Sequence, residues 1–187
     1  FSSFLKDENK KSTLFETMYA CSPKYMHIIF NLIKSKGPVL VYSNYVAMEG
    51  LQIFKIYLNF FSFKKFDDTD RENTSRGKPL DKNNDFHRFI EFHGGISKEN
   101  KDTDKSMYNY SKNKDGNMIK IILISPAGTE GINLINTRQV HILEPYWNEV
   151  RIEQIIGRAI RICSHRDLPM DERKVDVFRY KMIRSNN

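Results

Sequence analysis

Cysteines are scarce in this 187-residue sequence, and long apolar runs are missing. The two cysteines, Cys21 and Cys163, lie far apart, which argues against a disulfide scaffold or a clustered zinc site and fits a reducing compartment. Charged residues make up 28% of the chain and the mean hydropathy is -0.56, so no stretch of about 18 apolar residues is available to cross a bilayer. We therefore expect an intracellular protein with no membrane partner.

The sequence also lacks the phosphate-binding loop G-x-x-x-x-G-K-[ST] and an acidic pair directly after a buried strand, which together would hold a nucleotide and its Mg²⁺. Two acidic pairs, Asp7-Glu8 and Asp171-Glu172, follow no apolar run and are interpreted as solvated turns. These absences exclude a self-contained triphosphate-hydrolysing site. Because the first residue is Phe1 rather than Met, we expect the chain to be part of a longer protein.

The net charge is +7, and residues 150–187 contribute more than half of it, with nine Lys or Arg against five Asp or Glu. A basic excess of this kind fits a polyanionic partner such as nucleic acid or nucleotide phosphate. A solvated basic face without a partner is an equally common explanation. The charge therefore directs attention to the end of the chain without assigning a function to it.

Apolar runs and helical periodicity alternate along the chain, which predicts an α/β domain with a mostly parallel sheet. The predicted strands are Val39–Tyr42, Arg88–Phe92, Ile119–Ile124, Gln139–Leu143 and Lys174–Tyr180. One predicted helix starts at Ser22-Pro23. The others run from about Ala47 to Asn59, from about Asp104 to Tyr110, and from Asn148 to about Cys163. We predict an extension or linker over 1–21 and one domain over 22–187, with polar surface insertions at about 64–85 and 98–117.

The predicted helix from Asn148 carries a Q-x-x-G-R-x-x-R pattern formed by Gln154, Gly157, Arg158 and Arg161. At about 100° per residue, the glutamine and both arginines would share one face. The opposite face would be apolar, with Ile152, Ile155, Ile156, Ala159, Ile160 and Cys163. Gly157 weakens a helix interior by about 1 kcal/mol, which suggests a close approach there. Guanidinium groups suit a transferring γ-phosphoryl group, although a solvated basic helix face is the alternative.

A glycine-containing loop, Ser125–Asn133, follows the predicted strand Ile119–Ile124. Ligands of open α/β sheets bind at the carboxyl ends of strands. Gly128 and Gly131 would let the backbone approach a ligand. The hydroxyl and amide groups of Ser125, Thr129 and Asn133 would bind phosphate or ribose. Because no G-x-G-x-x-G follows a first strand, a dinucleotide or nucleotide-sugar enzyme is disfavoured.

These segments resemble superfamily 2 helicases and translocases. Ser125–Asn133 is similar to motif V, Gln154–Arg161 to motif VI, and Pro145–Asn148 to the P-x-W-N segment of the Swi/Snf-like branch. Upstream, Val39–Ser43 and His93-Gly94 match the motif IV strand and the H-G element of that branch. The resemblance covers about 22–180. Within the branch it is greatest to large DNA virus proteins of the type of poxvirus nucleoside triphosphate phosphohydrolase I and the early transcription factor ATPase subunit.

The resemblance implies a three-layer RecA-like fold and the role of second helicase lobe. ATP and Mg²⁺ would be held mainly by the first RecA-like lobe of the same parent chain, and no metal ligand is assigned here. Gly131, Asn133 and Gly157 would face the nucleotide, Gln154 would help to place motif VI, and Arg158 and Arg161 would reach the γ-phosphate. We expect the isolated chain to lack ATPase activity, and robust Mg-ATP turnover by it would overturn this expectation.

The resemblance also places a set of residues near the nucleic-acid backbone: Ser43, Asn44, His93, Gly94, Ser125 and Thr129. Such contacts position a strand without reading its sequence. The expected partner is nucleic acid, DNA rather than RNA. RNA polymerase or other transcription machinery is a further expected partner. A viral source would place the protein in the host cytoplasm and in the virion. Simpler alternatives are that Ser43 caps the next helix and His93 is a hydrogen-bonded loop histidine. Trp147 is predicted to pack, with stacking as the alternative.

One alternative from another functional class remains open. A helicase-like lobe without catalytic function would serve as a platform that binds nucleic acid or protein. The two arginines and Gln154 on one face favour the motor, because a platform has no need of them. A phosphate-binding loop and an acidic box upstream of Phe1 would decide for the ATPase.

Overall fold

A computed structural model of the protein describes residues 8–47, 50–76, 87–129 and 131–183. Six strands form one sheet: β1 (Val39–Tyr42), β2 (Phe63–Lys65), β3 (His87–Phe92), β4 (Ile121–Ile124), β5 (Gln139–Ile142) and β6 (Asp176–Arg179). Their order is β2-β3-β4-β1-β5-β6, and all neighbouring pairs are parallel. Continuous apolar runs are typical of parallel strands that are covered on both faces. The predicted parallel sheet is confirmed.

Six α-helices surround the sheet: α1 (Glu8–Cys21), α2 (Pro23–Lys34), α3 (Leu51–Phe60), α4 (Asp68–Ser75), α5 (Lys98–Tyr108) and α6 (Glu149–Ala159). Two of the predicted helix starts are confirmed by their caps. The side chain of Ser22 accepts a hydrogen bond from the backbone N–H of Tyr25, with Pro23 at the first helical position, and Asn148 accepts one from the N–H of Arg151. Each cap satisfies a backbone donor that the helix itself leaves unpaired.

Alternate residues along each central strand enter two separate hydrophobic cores. Val39 and Val41 of β1 face a core shared with α1, α2 and α3. Leu40 and Tyr42 face the second core, which contains residues of α5 and α6. Helices therefore cover both faces of the sheet, and the predicted three-layer arrangement is confirmed. Within the described ranges, no helix combines the length and the apolar character that a bilayer crossing requires.

The polar stretches contain more regular structure than the sequence predicts. Residues 63–65 form the edge strand β2, α4 follows it, and Phe66 between them is fully buried. Part of the predicted insertion at 64–85 thus belongs to the sheet layer, while 77–86 lie outside the described residues. In the second stretch, α5 begins at Lys98, six residues before the predicted start, because Ser97 accepts a capping bond from the N–H of Asn100.

The amino-terminal segment is also helical where it is described. Met18 of α1 is buried, and its carbonyl oxygen accepts a hydrogen bond of 3.0 Å from the Tyr57 hydroxyl on α3. Helix α1 therefore packs against the rest of the structure. The division into an extension over 1–21 and a domain from 22 onward stays a prediction. The predicted helix near Ala47 begins at Leu51, after an N-cap at Gly50.

Candidate functional site

Parallel register brings the carboxyl ends of the four central strands to one edge of the sheet. Tyr42 pairs with Ile124 and with Ile142, and Phe92 also pairs with Ile124. Just beyond these ends, backbone hydrogen bonds tie the outgoing loops to neighbouring strands, from Ser43 N–H to Ile124 and from Ser125 N–H to Phe92. The loops that begin at Ser43, His93, Ser125 and Glu144 therefore share this edge, as the sequence predicts for a ligand site.

A cleft of about 360 Å³ opens at this edge, between the loop after β4 and helix α6. Its polar side chains include Thr129, Arg151, Gln154 and Arg158, and the other lining residues are Pro126, Asn148, Val150 and Ile155. The structure thus brings Gln154 and Arg158 together with Thr129, although the sequence assigned Thr129 to the nucleic-acid contacts. Two guanidinium groups, an amide and a hydroxyl around one concave surface suit an anionic ligand with several oxygens.

Arg151 is a cleft residue that the sequence interpretation missed. It precedes Arg158 by seven residues, which places the two arginines only about 20° apart on a helix of 100° per residue. Its guanidinium lies over the Tyr146 ring, 5.5 Å from the ring centroid, as in a cation–π contact. The seven-residue spacing is a signal in the sequence that could have identified it.

Arg161 lies outside the helix, which corrects the predicted single face. Helix α6 ends at Ala159, and the Arg161 guanidinium donates a hydrogen bond to Oδ1 of Asn133. Buried Ser164 ends the helix locally: the backbone N–H of Arg161 donates to Ser164 Oγ at 3.2 Å, and the N–H of Ser164 donates to the Arg161 carbonyl at 3.1 Å. Ile160 and Cys163, which the sequence assigned to the apolar helix face, are exposed.

Three glycines of the predicted site differ in what surrounds them. A Cβ on Gly128 would lie 2.5 Å from the carbonyl carbon of Phe92, so only glycine lets this loop pack on β3. Gly131 has φ +67°, a left-handed conformation that glycine adopts without strain. A Cβ on Gly157 would meet nothing within 4 Å. The close approach predicted at Gly157 is thus not made by the described part of this chain.

Glu144 holds the loop after β1 against the loop after β5. Its carboxylate accepts hydrogen bonds of 3.1 Å from the Ser43 hydroxyl and from the backbone N–H of Asn44. Burial raises the pKa of Glu144, and these two hydrogen bonds act in the opposite direction. The Asn44 side chain is engaged as well, because its Oδ1 accepts from the Tyr42 hydroxyl at 2.9 Å. Nothing in the local sequence signals these contacts, because Glu144 lies 100 residues from its partners.

Ser43 is fully buried. Its alternative role as a helix cap is wrong, because the N-cap of α3 is Gly50. Its predicted contact with nucleic acid stays a prediction, and its hydroxyl lies within hydrogen-bond distance of both the Tyr45 carbonyl oxygen and the Glu144 carboxylate. Ser125 is likewise buried, with 2% of its surface exposed, and its carbonyl oxygen accepts from the N–H of Gly128.

His93 and Gly94 lie beside the loop after β4. Nδ1 of His93 accepts a hydrogen bond from the N–H of Gly95 at 3.1 Å, which supports the alternative of a hydrogen-bonded loop histidine. Burial lowers the pKa of His93, although Glu91 acts to raise it, and the net shift favours the neutral imidazole. Gly94 is exposed, and a Cβ there would lie 3.9 Å from Cβ of Ala127.

The prediction that Trp147 packs is wrong. The residue is 85% exposed, and its ring centroid lies 5.6 Å from that of Tyr146. In the parts of the chain that the structure describes, no group of three or more His, Cys, Asp or Glu side chains is placed to hold a metal ion.

Residues 24–163 match the family model of the helicase conserved C-terminal domain. The chain belongs to this family. The match includes β1, β3, β4, β5 and α6, and therefore every predicted site residue. It confirms the resemblance to the second lobe of helicases.

Proteins of large DNA viruses are similar to this chain. A protein of Acanthamoeba polyphaga mimivirus named an ATP-dependent RNA helicase, R350, is 45% identical over 190 residues, covering 100% of this chain and 22% of its own length. The termination factor NPH-I homolog of African swine fever virus is 34% identical over 181 residues, covering 85% and 26%. Nucleoside triphosphatase I of Melanoplus sanguinipes entomopoxvirus is 30% identical over 175 residues, covering 94% and 23%. The chain thus spans about a quarter of the length of these relatives.

A solved structure supports the fold independently. The crystal structure of the C-terminal part of the Fun30 ATPase domain superposes with a TM-score of 0.54 at 16% identity, covering 91% of this chain and 40% of the other. At this identity the likeness concerns the fold alone, and it confirms the RecA-like architecture.

Proposed function

We propose that the chain is the second RecA-like lobe of an ATP-dependent helicase or translocase, and that it completes a nucleotide site whose other half lies on a first lobe of the same parent protein. The observation that carries this proposal is the cleft at the carboxyl edge, where Gln154 and Arg158 of α6 face Thr129. The fragment covers about a quarter of its relatives, whose names include ATP-dependent helicase and nucleoside triphosphatase.

The cleft fits the phosphates of a nucleotide, because its guanidinium groups match phosphate oxygens in charge and geometry. Bound ATP would supply the γ-phosphoryl group, and Mg²⁺ held mainly by the first lobe would neutralise part of its charge. Arg158 already lines the cleft. Arg161 is exposed and bound to Asn133, so it exchanges that partner for phosphate oxygens when the lobes close.

The nucleic-acid strand would lie across the loops after β1, β3 and β4. Support comes from their common edge and from the half-buried or exposed positions of Asn44, His93, Gly94 and Thr129. The Swi/Snf-like segment at Pro145–Asn148 favours DNA, whereas the mimivirus relative is named an RNA helicase. Binding of matched DNA and RNA oligonucleotides to the full-length parent separates the two.

The viral relatives also support a proposal about where the protein acts and with which partners. They favour a viral transcription role in the host cytoplasm and in the virion, with RNA polymerase or its accessory factors as partners, since one relative is named a termination factor. Co-purification of the parent protein with the polymerase of its source tests this partner.

The test of the catalytic role compares Arg161→Ala with Arg166→Ala in the full-length parent. Arg166 is an exposed arginine five residues further along the chain and serves as the matched control. Because an arginine finger contributes roughly 10³–10⁵ in turnover, Arg161→Ala should lower nucleic-acid-stimulated kcat by about 10³ or more. The dissociation constant for nucleic acid should change less than about threefold, since the residue does not belong to the nucleic-acid edge.

Two results would contradict the proposal. Equal losses in turnover and in nucleic-acid affinity would place Arg161 in a binding surface rather than at the phosphate. A full-length parent that binds nucleic acid without hydrolysing ATP would support the non-catalytic platform instead.

A further inference from the structure

Within the second polar stretch, 98–117, helix α5 ends in a turn that several contacts hold in place. Met107 and Tyr108 are buried in the same core as Ile132 and Leu134, and the Tyr108 hydroxyl lies 2.9 Å from Oγ1 of Thr137. After the helix, the side chain of Asn113 donates to the carbonyls of Tyr108 and Ile119 and accepts from the N–H groups of Met118 and Ile119. The residues between these anchors have little freedom to move relative to the sheet.

Asn109 lies between these anchors, and its amide holds the end of the loop after β4. Its Nδ2 donates to the carbonyl oxygen of Asn133 at 2.8 Å, and its Oδ1 accepts from the N–H of Ile135 at 2.9 Å. The Asn109 side chain thus pairs with a backbone carbonyl and a backbone N–H that lie two residues apart, as the backbone of a neighbouring strand would. Asn109 itself is fixed as the C-cap of α5, through its N–H to Lys105.

The segment that Asn109 holds contacts both arginines of motif VI. Oδ1 of Asn133 accepts from the Arg161 guanidinium, and the N–H of Leu134 donates to the carbonyl oxygen of Arg158 at 3.0 Å. A displacement of residues 133–135 would therefore move the acceptor of one arginine and the backbone of the other.

We propose that Asn109 is a positioning residue for Arg158 and Arg161, and that the polar stretch carrying it braces the catalytic arginines. This inference rests on the proposed function, because it needs the arginines to act on phosphate. Asn109 touches no substrate and acts through residues 133–135. The Asn109→Ala variant leaves the Asn133 carbonyl and the Ile135 N–H to water, so this segment loses its fixed position. A misplacement of about 1 Å at a reacting group can lower a rate about 100-fold.

The experiment uses the full-length parent and measures kcat, KM for ATP, nucleic-acid affinity and thermal unfolding. We expect Asn109→Ala to lower kcat roughly 10- to 100-fold, with KM and nucleic-acid affinity changed less than about threefold. Ser111→Ala, at an exposed position two residues away, should behave as the unsubstituted protein. Tyr108→Phe removes a buried hydrogen bond from the same helix end but leaves the amide of Asn109 on residues 133–135; it should lower the unfolding temperature and lower kcat much less than Asn109→Ala does.

A double-substitution cycle decides whether Asn109 acts through Arg161. In single-turnover measurements on the Arg161→Ala background, adding Asn109→Ala should lower the rate by a clearly smaller factor than it does in the unsubstituted protein, because only its effect through Arg158 remains. The inference is overturned if the two losses multiply, if Asn109→Ala alone retains normal kcat, or if Tyr108→Phe lowers kcat as much as Asn109→Ala does. If Arg161→Ala itself leaves turnover intact, the proposed function fails, and the inference fails with it.

Discussion

Replacing Gly128 with alanine should separate a packing requirement from a mere preference for glycine in loops. The new Cβ would lie 2.5 Å from the carbonyl carbon of Phe92 and 2.9 Å from its Cβ. Normal contacts between carbon atoms begin at about 3.5 Å, so the loop must retreat from β3 by about 1 Å. Phe92 pairs with Ile124 of β4, and its carbonyl oxygen accepts a hydrogen bond from the N–H of Ser125, so its backbone yields little.

The expected loss of stability follows from this mismatch. Overpacking by one methyl group typically destabilises by about 1–3 kcal/mol, and the rigid neighbour places Gly128→Ala near the top of that range, at about 2–3 kcal/mol. For a domain of this size each kcal/mol shifts the unfolding temperature by about 2–4 °C, so a decrease of roughly 5–10 °C is expected.

Thermal unfolding followed by circular dichroism measures the effect, and the chain supplies two matched controls. Gly94→Ala adds the same methyl group in a neighbouring loop at an ordinary distance of 3.9 Å from Ala127, so its effect should stay within about 0.5 kcal/mol. Gly157→Ala adds it to a helix in open space and should stabilise by about 0.5–1 kcal/mol. Equal unfolding temperatures for Gly128→Ala and Gly94→Ala would refute the reasoning.

Two buried charges give further expectations. Burial lowers the pKa of Lys120 to about 8, and the positive charge of Arg138 adds to this shift. Between pH 8 and 10.5 the unfolded chain therefore binds more protons than the folded chain. The free energy of unfolding should rise with pH in this range by up to about 3 kcal/mol. Urea titrations of Lys120→Met should lack that rise, and an unchanged rise would contradict the assignment. Glu91 behaves in the opposite way: burial would raise its pKa, but hydrogen bonds from Lys55 and Lys65 lower it overall, so its contribution is present above pH 4.5 and is lost as the pH falls further. Glu91→Gln should destabilise by about 1–2 kcal/mol at pH 7, a modest loss because both lysines remain partly solvated. The variant should also lose part of the decrease in stability that the protein shows at acid pH. A variant with the original acid profile would exclude Glu91 as the source of that decrease.

The sequence predicted the features that depend on local pattern. The central strands β1 and β4 are continuous apolar runs, a pattern typical of parallel strands buried on both faces. The caps Ser22 and Asn148 act within three residues of their own positions. Because parallel strands end at a common edge, the sequence also predicted that the loops after β1, β3 and β4 lie together.

The remaining features depend on contacts between distant residues. Helix α6 ends early because Ser164 and His165 are buried, and Nε2 of His165 lies 2.6 Å from the carbonyl oxygen of Thr137, 28 residues away. The edge strand β2 has one buried residue of three, too few for a recognisable apolar pattern. In α5 the buried charge of Asp104 is paired with Arg71 of α4 across 33 residues. No local pattern encodes such pairings.

Trp147 is the only tryptophan of the chain, and it lies in the loop after β5, directly before the cleft residue Asn148, with 85% of its surface exposed. An indole that is already solvated changes its surroundings little when the chain unfolds, so its fluorescence is a weak measure of folding. The same exposure makes its emission sensitive to whatever covers the carboxyl edge, whether another lobe, a nucleotide or a strand of nucleic acid. Occupancy of this face and integrity of the fold can therefore be followed as two independent optical signals, the first from tryptophan emission and the second from backbone dichroism, in a protein that needs no added label.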